Sequence, residues 1–431
     1  MAHPVKIALV GAGSAQFSLA LLRDLVLSDE LNGSTVSLMD IDAGRLNSVR
    51  QLTERYVREV GADLVVESSD DLKVALTGAD FVINTALAGG HPAYEAERSL
   101  ADAHGYYRGV SPLHMQRNLL LMLDVAHAIQ QTCPDAWLIQ ASNPVFEGCT
   151  LMTRETDLKI VTWQAPGFNH VIYLTEFFYQ GQSAYPLLDE WIATTAESHW
   201  ARTDLRFSAS DLSRSAIDQY KRVGLLPLGD ASRGFETWWY HTDLETKKYW
   251  FGHLGGFDSE LGWQQYLDHL SEGVENIRRA VADEETPITK TIPLVHSGEN
   301  HVPLIESLVT GTERVIQVNL PNNGAIAGLP DDVVVEGKGL VQNGRVQLLN
   351  VGPLPGPLMH KIILPRWVLL EQTMWALRRH DYGMLREMVM EDHRTKSPEQ
   401  ADGLLDAAFA ADYNQAVANW YKPTGAGQGR I

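Results

Sequence analysis

A buried-strand sequence at residues 5–10, Val-Lys-Ile-Ala-Leu-Val, runs straight into Gly11-Ala-Gly13-Ser14, and a second apolar stretch at 35–39 ends in Asp40. This spacing restricts the chain more than any other feature in it. Two glycines make a turn tight enough for a pyrophosphate to touch backbone. The helix that begins at Ser14, with Phe17 in its first turn, aims its free N–H groups at that phosphate. Asp40 falls where a carboxylate accepts both hydroxyls of a ribose, which favours NAD over NADP. Gln16 stands at the third glycine position of the fingerprint, so an ordinary glycine turn in an α/β protein is the competing explanation.

A chain of 431 residues exceeds one compact core, and two domains are expected. The fold class is α/β. A Rossmann-like, doubly wound N-terminal domain over 1–165 precedes a mixed α+β C-terminal domain over 166–431, which serves substrate binding, catalysis and oligomerisation. The hydrophobic pattern predicts strands at 5–10, 35–39, 81–86, 136–141 and 159–164, with helices at 15–28, 44–60 and 116–131 between them. Asn84-Thr85-Ala86 and Ser142-Asn143-Pro144 lie at or just beyond strand ends, where such sheets bind ligands. Asn84 and Ala86 therefore join Gly11, Gly13, Ser14, Phe17 and Asp40 as cofactor-binding candidates. Beyond 166 the alternation weakens. Residues 171–179, 213–223 and 261–282 read as helices. Residues 314–320 and 332–340 read as strands with the turn Pro321-Asn-Asn-Gly324 between them, and 361–420 as mostly helical. Residues 424–430 read as a loose tail.

Composition narrows the partners. With 45% hydrophobic and 21% charged residues the chain reads as an ordinary globular protein, and no apolar run approaches the ~18 residues of a membrane span. The first strand begins almost at once, leaving no room for a signal peptide. Cys133 and Cys149 are the only cysteines, too few for a disulfide framework, so a reducing cytoplasm is expected. The net charge of −19 argues against nucleic acid and anionic membranes. A small molecule is the expected partner.

The densest reactive cluster is Trp238-Trp239-Tyr240-His241. Sugar rings stack their C–H faces on indole, and a tyrosine beside basic groups can abstract a proton. The plainer alternative makes the tryptophans core and Tyr240 a capped buried phenol. Asn143 can hydrogen-bond a substrate hydroxyl, or simply form an Asx turn before Pro144. His170, in Gly167-Phe-Asn-His170, is a metal ligand, a proton shuttle or a helix-terminus histidine, and no HxxxH or CxxC partner accompanies it. His104-Gly-Tyr-Tyr-Arg108 gathers an imidazole, two phenols and a guanidinium in an expected loop. Arg108 is a natural anchor for a carboxylate, sulfonate or phosphate, as are Arg233 and Lys247; each is otherwise a solvated charge. Ser297-Gly-Glu-Asn-His301 superficially resembles the histidine loop of lactate and malate dehydrogenases, but no helix-borne Asp-x-x-Arg partner is evident and an ordinary surface loop explains it better.

Taken together and in order, these segments resemble the NAD-dependent glycosidases of glycoside hydrolase family four, nearest the α-glucosidase and α-galacturonidase branch. The resemblance rests on Gly11-Ala-Gly-Ser14, Leu38-Met-Asp-Ile-Asp42, Asp80–Ala86, His104–Gly109, Asn143–Gly148, Gly167–His170, Tyr240–Lys248, Asp258–Trp263 and Asp331–Glu336. It implies NAD as a catalytic cofactor that takes a hydride from C3 of the sugar, so that a tyrosine base removes the acidified C2 proton and C1–O breaks by elimination. Water then adds and the hydride returns; such enzymes stand apart from the two-carboxylate scheme. On this basis Tyr240 is the expected C2 base, with Asn143 and Asn169 on sugar hydroxyls. A homodimer or homotetramer is also implied.

One departure matters more than the matches. The family binds a divalent metal through a cysteine in a Cys-His-Gly type segment and a later histidine. His170 matches the histidine. After Lys159-Ile-Val161 the chain soon reaches Trp163-Gln-Ala-Pro-Gly167, and the cysteine segment is missing, so no metal is expected. The metal's work of polarising the C2 and C3 oxygens would fall to hydrogen bonds from His170, Asn143 or a nearby cation. The scaffold without that cysteine is similar to the NAD-dependent sulfoquinovosidases, whose sugar carries a sulfonate at C6. Arg108, Arg233, Lys247, His104 and Trp239 supply suitable side chains. A metal-independent sulfoquinovosidase is therefore expected first, and an α-glucosidase or α-galacturonidase second. A 2-hydroxyacid-type dehydrogenase would instead accumulate NADH, and a non-catalytic NAD sensor would turn over nothing.

Overall fold

The computed structural model describes residues 2–14, 17–161, 172–174, 177–202, 212–228 and 235–422. Six parallel strands form its central sheet: β1 (Lys6–Val10), β2 (Ser34–Met39), β3 (Leu64–Ser69), β4 (Phe81–Asn84), β5 (Trp137–Gln140) and β6 (Lys159–Val161), in the order β3-β2-β1-β4-β5-β6. The order reverses between β1 and β4, so the crevice of a doubly wound sheet opens at their carboxyl ends. Val10 pairs with Met39 on one side and with Asn84 on the other. That register sets the Gly11 turn, Asp40 and Thr85 side by side.

Alternation along β1 explains the layers. Ile7 and Leu9 face α1 (Phe17–Val26) and α2 (Ala43–Val60) through Leu22, Leu25 and Leu52. Ala8 and Val10 face the opposite core with Leu119, Met122 and Val125 of α5 (Pro112–Thr132). Asp42 caps the N-terminus of α2 and Gly61, at φ +71°, ends it. Between these lie α3 (Leu72–Leu76) and α4 (Gly90–Ala103), and α6 (Val145–Glu155) follows β5.

The remaining chain packs on both faces of this unit. Arg55 donates to the carbonyls of Ala280, Asp283 and Thr286, and the Tyr56 hydroxyl donates to Ile292 O at 2.8 Å. Helices Arg214–Val223, Leu244–Phe251 and Glu260–Ala282 flank a 3₁₀ turn at Phe235–Tyr240. A three-stranded antiparallel sheet (Arg314–Pro321, Val334–Gln342, Arg345–Leu348) precedes the helices Leu364–Arg379, Tyr382–Met390 and Pro398–Ala410. Among the described residues no helix is long and apolar enough to cross a membrane.

The helix expected at 171–179 is not found in the described part of that stretch. Ile172–Tyr173 pairs with Pro227–Leu228, and Phe178–Tyr179 pairs with Gln182–Ser183 across Gln180 (φ +50°) and Gly181 (φ +79°). Two consecutive left-handed residues are the signature of a tight hairpin, which the Gln-Gly pair supplies. The tail at 424–430 lies outside the described residues.

Candidate active site

The glycine turn is built for close approach. Gly11 has φ +85°, and a Cβ on it would meet Ala86 N at 2.8 Å. A Cβ on Gly13 would lie 2.7 Å from Asp40 Oδ2. Neither position tolerates a side chain, so backbone is presented to the crevice. Ser14 accepts the Ser18 N–H at 3.2 Å and leads into α1, whose first residue is Phe17. Asp40 Oδ2 accepts the Gly13 N–H at 2.7 Å and Oδ1 accepts the Asp42 N–H at 2.8 Å. A carboxylate has about four lone-pair positions, so this one retains capacity for ribose hydroxyls. Across the crevice, Asn84 is fully buried; it donates to Gln140 Oε1 at 2.9 Å and accepts the Ala86 N–H at 3.2 Å. These residues fit a dinucleotide.

At the end of β5, Ser142 N donates to Asn84 O, which brings the exposed Asn143 to the same side of the sheet. The Asn143–Pro144 peptide is cis.

A second cluster of candidate residues is assembled from distant segments. Tyr240 is wholly buried, with the Trp250 ring 4.3 Å away. Its hydroxyl donates to Asp218 Oδ2 in a short hydrogen bond. Asp218 lies 3.8 Å from Arg222 Nη1, one turn further along helix Arg214–Val223. Burial pushes the Tyr240 phenol well above its ordinary range, the Asp218 hydrogen bond and charge push the same way, and Arg222 opposes them. The basic neighbours expected of this tyrosine are thus subordinate to a carboxylate. Trp238 and Trp239 are exposed at right angles to each other, and Arg222 lies 5.2 Å from the Trp239 ring centre. The exposed faces contradict a core role for the two indoles, whereas Tyr240 does have the buried, capped character of the plainer alternative.

Arg108 and Lys247 come together. The Arg108 side chain is 7% exposed, and its Nε donates to Asp258 O at 3.3 Å. Lys247, 2% exposed, donates to the same carbonyl at 3.2 Å. Neither is the solvated surface charge that single-residue reasoning allows. Trp238 stacks on His393, and the adjacent Arg394 donates to Tyr107 O at 3.1 Å, so the indoles and the cations share one region. His104 differs: it caps α4, its Nδ1 meeting Leu100 O at 2.8 Å, and its carbonyl accepts from Gln400. Asn169, His170 and Arg233 lie outside the described residues.

Asp218 is not singled out by the sequence analysis; its spacing of one helical turn from Arg222 is the signal available there.

Among the described residues no three His, Cys, Asp or Glu side chains are grouped to hold an ion; His170, the histidine expected to matter for a metal, lies outside them, and Cys149 is buried on α6.

The glycine turn, Asp40 and Asn84 at the switch point of a doubly wound sheet define a dinucleotide-binding protein. Residues 6–165 match the model of family 4 glycosyl hydrolase, and residues 165–395 that of the family 4 glycosyl hydrolase C-terminal domain. The chain belongs to family 4 of the glycosyl hydrolases. It is 24% identical to an α-galacturonidase of Thermoanaerobacterium saccharolyticum, over 90% of this chain and 91% of that one. In structure it is similar to a putative glucosidase, lplD, of Bacillus subtilis (TM-score 0.79, 22% identity, 94% of this chain and 99% of the other). It is also similar to a 6-phospho-α-glucosidase from gut microorganisms in complex with NAD and Mn²⁺ (TM-score 0.76, 19% identity, 97% and 99%).

Proposed function

We propose that this NAD-dependent glycoside hydrolase cleaves hexosides that carry an anion at C6, with sulfoquinovosides as its substrates and without a metal. The observation that carries this reading is the convergence of Arg108 and Lys247, both nearly buried, on Asp258 O. Arg108 is also paired with Asp102 at 3.6 Å, and two cations drawn to one carbonyl suit an anionic sugar better than a neutral hexose. NAD supplies a temporary hydride acceptor for C3 of the sugar and thereby acidifies the proton on C2.

Tyr240 is the residue assigned to take the C2 proton. Because burial and Asp218 keep the phenol protonated, it cannot wait as a phenolate. Asp218 accepts the phenolic proton as the oxygen takes the one from C2, so the two act as a relay. Asn143 at the crevice holds a sugar hydroxyl, with Asn169 and His170 assigned the same neighbourhood from sequence. Metal independence rests on the missing cysteine segment after Val161. The reading carries with it a cytoplasmic homodimer or homotetramer; light scattering reads the oligomer.

A second reading, an α-galacturonidase, is favoured by the name of the Thermoanaerobacterium relative. Chromogenic sulfoquinovoside, galacturonide and glucoside, each with and without EDTA, separate the two. Sulfoquinovoside cleavage at constant NADH, unaffected by chelation, is expected. Preference for galacturonide overturns the sugar, and loss on chelation overturns metal independence.

A further inference from the structure

Three buried cations meet at one residue. Besides Arg108 Nε and Lys247 Nζ on its carbonyl, Asp258 takes Arg98 Nη2 on its carboxylate Oδ1 at 2.8 Å. Arg98 is 2% exposed and projects from α4. Its guanidinium is clamped between the rings of Tyr94 (4.5 Å) and Trp263 (4.2 Å), and Nη2 also donates to the Tyr94 hydroxyl. Stacking on two faces fixes the guanidinium plane. Arg98 Nε and Nη1 and Arg108 Nη2 are nevertheless buried without a hydrogen-bond partner. Each such group carries a desolvation penalty that a bound acceptor would remove.

The backbone here is tightly held. A Cβ on Gly255 would meet Lys247 Cβ at 3.1 Å, one on Gly256 would meet Phe251 Cβ at 2.9 Å, and the Ser259 hydroxyl accepts the Gly262 N–H at 2.9 Å. The Asp258 carbonyl is therefore a fixed post for Arg108 and Lys247. The Asp258 side chain, 28% exposed, is the member of this cluster in greatest contact with solvent.

We propose that the Asp258 carboxylate is a built-in stand-in for the substrate's C6 anion, resting on Arg98 until a sulfonate or carboxylate displaces it by side-chain rotation. Arg98 is then the central anion-binding residue, a role assigned to it by neither its sequence context nor the readings above. The assignment to C6 rests on the proposed function; the anion seat itself does not. A charged group already in the seat makes binding of any anion weaker than three cations would otherwise allow. Together with Asp102, 3.6 Å from Arg108 Nη1, it also keeps the cations neutralised when no substrate is present.

Inorganic sulfate, sulfoquinovose and glucose test this by calorimetry on the NAD-loaded protein. Asp258→Asn keeps an acceptor for Arg98 and removes the competing charge. It should bind sulfate and sulfoquinovose about tenfold more tightly than the parent, with glucose changed less than twofold. Glu260→Gln removes a neighbouring charge that accepts the Tyr107 hydroxyl at 2.8 Å, and should leave sulfate binding within twofold. Arg98→Gln should weaken both anionic ligands at least tenfold, with partial recovery in Arg98→Lys. Sulfate binding that is no tighter in Asp258→Asn, or equally tightened by Glu260→Gln, overturns the proposal. Sulfate that behaves as expected while sulfoquinovose is neither bound nor cleaved keeps the anion seat and sinks the sugar assignment instead.

Discussion

The Tyr240 hydroxyl donates to the Asp218 carboxylate beside the Trp250 and Phe251 rings. A phenol held protonated by burial and by an adjacent anion is a poor base alone, but a strong one if its own proton can leave at the same moment. Tyr240→Phe and Asp218→Asn should therefore be of similar severity, each lowering kcat by roughly 10²–10⁴ with NAD affinity unchanged. Hydrolysis in D₂O is the sharper measurement: the parent should place deuterium at C2 of the released sugar. Protium retained at C2 counts against proton abstraction there, and an active Asp218→Asn counts against the relay.

Asp40 and Gly13 make a second pair, with 2.7 Å between Oδ2 and the glycine nitrogen. Asp40→Ala removes the ribose acceptor and loosens the turn together, so NADH affinity should fall tenfold or more, in keeping with a loss of ~1.5–3 kcal/mol for a hydrogen bond to a charged group. Gly13→Ala drives a methyl against Asp40 and should do at least as much harm. Fluorescence titration with NADH reads both; an unchanged Kd in either would remove the turn from the cofactor site.

Much of the nucleotide half was legible because periodicity and turn chemistry agree there. β1, β2, β4 and β5 fall within the expected segments or extend one residue past them, and Gly11 sits at the positive φ its turn requires. β3 was missed because it is an edge strand in which only Leu64 is fully buried, so its sequence lacks a clean two-residue alternation. α4 was missed for the opposite reason: its buried positions include Glu97 and Arg98, charged residues that a hydrophobic pattern scores as surface. The same inversion hid Asp218 and Arg98 from the site. Arg108 and Lys247 were visible as residue types, but their meeting depends on Asp258 and on chain segments more than a hundred residues apart, which no local pattern encodes.

Glu299 offers a pH test away from chemistry. It lines a cavity of about 330 Å³ with Asp24, His296 and Arg314. Burial first, and the Asp24 charge second, raise its carboxyl from 4.5 to about 7. His301 Nδ1 is 3.9 Å from Glu299, and His296 Nδ1 is 3.4 Å from Asp24. The native state then binds the proton that the unfolded chain releases, so this contribution is full below pH 4.5 and is lost as pH rises through 7. Glu299→Gln stays neutral throughout. Between pH 4.5 and 7.5 the parent should lose about 1 kcal/mol more stability than the variant, after allowance for solvent screening. Urea denaturation at each pH measures the difference, and parallel curves would refute the shift.

Glu147 and Arg366 form an ion pair whose side chains are 1% and 5% exposed. Glu147 lies on α6, just past the Asn143 segment, and Arg366 on helix Leu364–Arg379, with its guanidinium 4.8 Å from the Phe146 ring centre. The pair thus ties the crevice side of the sheet to the distal helices. Removing one partner strands the other charge in the interior, so Glu147→Gln or Arg366→Met should each cost roughly 3–5 kcal/mol. The double variant Glu147→Leu/Arg366→Met buries no charge and should cost markedly less than the two singles added. Chemical denaturation of the four proteins gives the coupling directly. Additive losses would mean that the pair does not act as one unit, and that each side chain is instead held by its own surroundings.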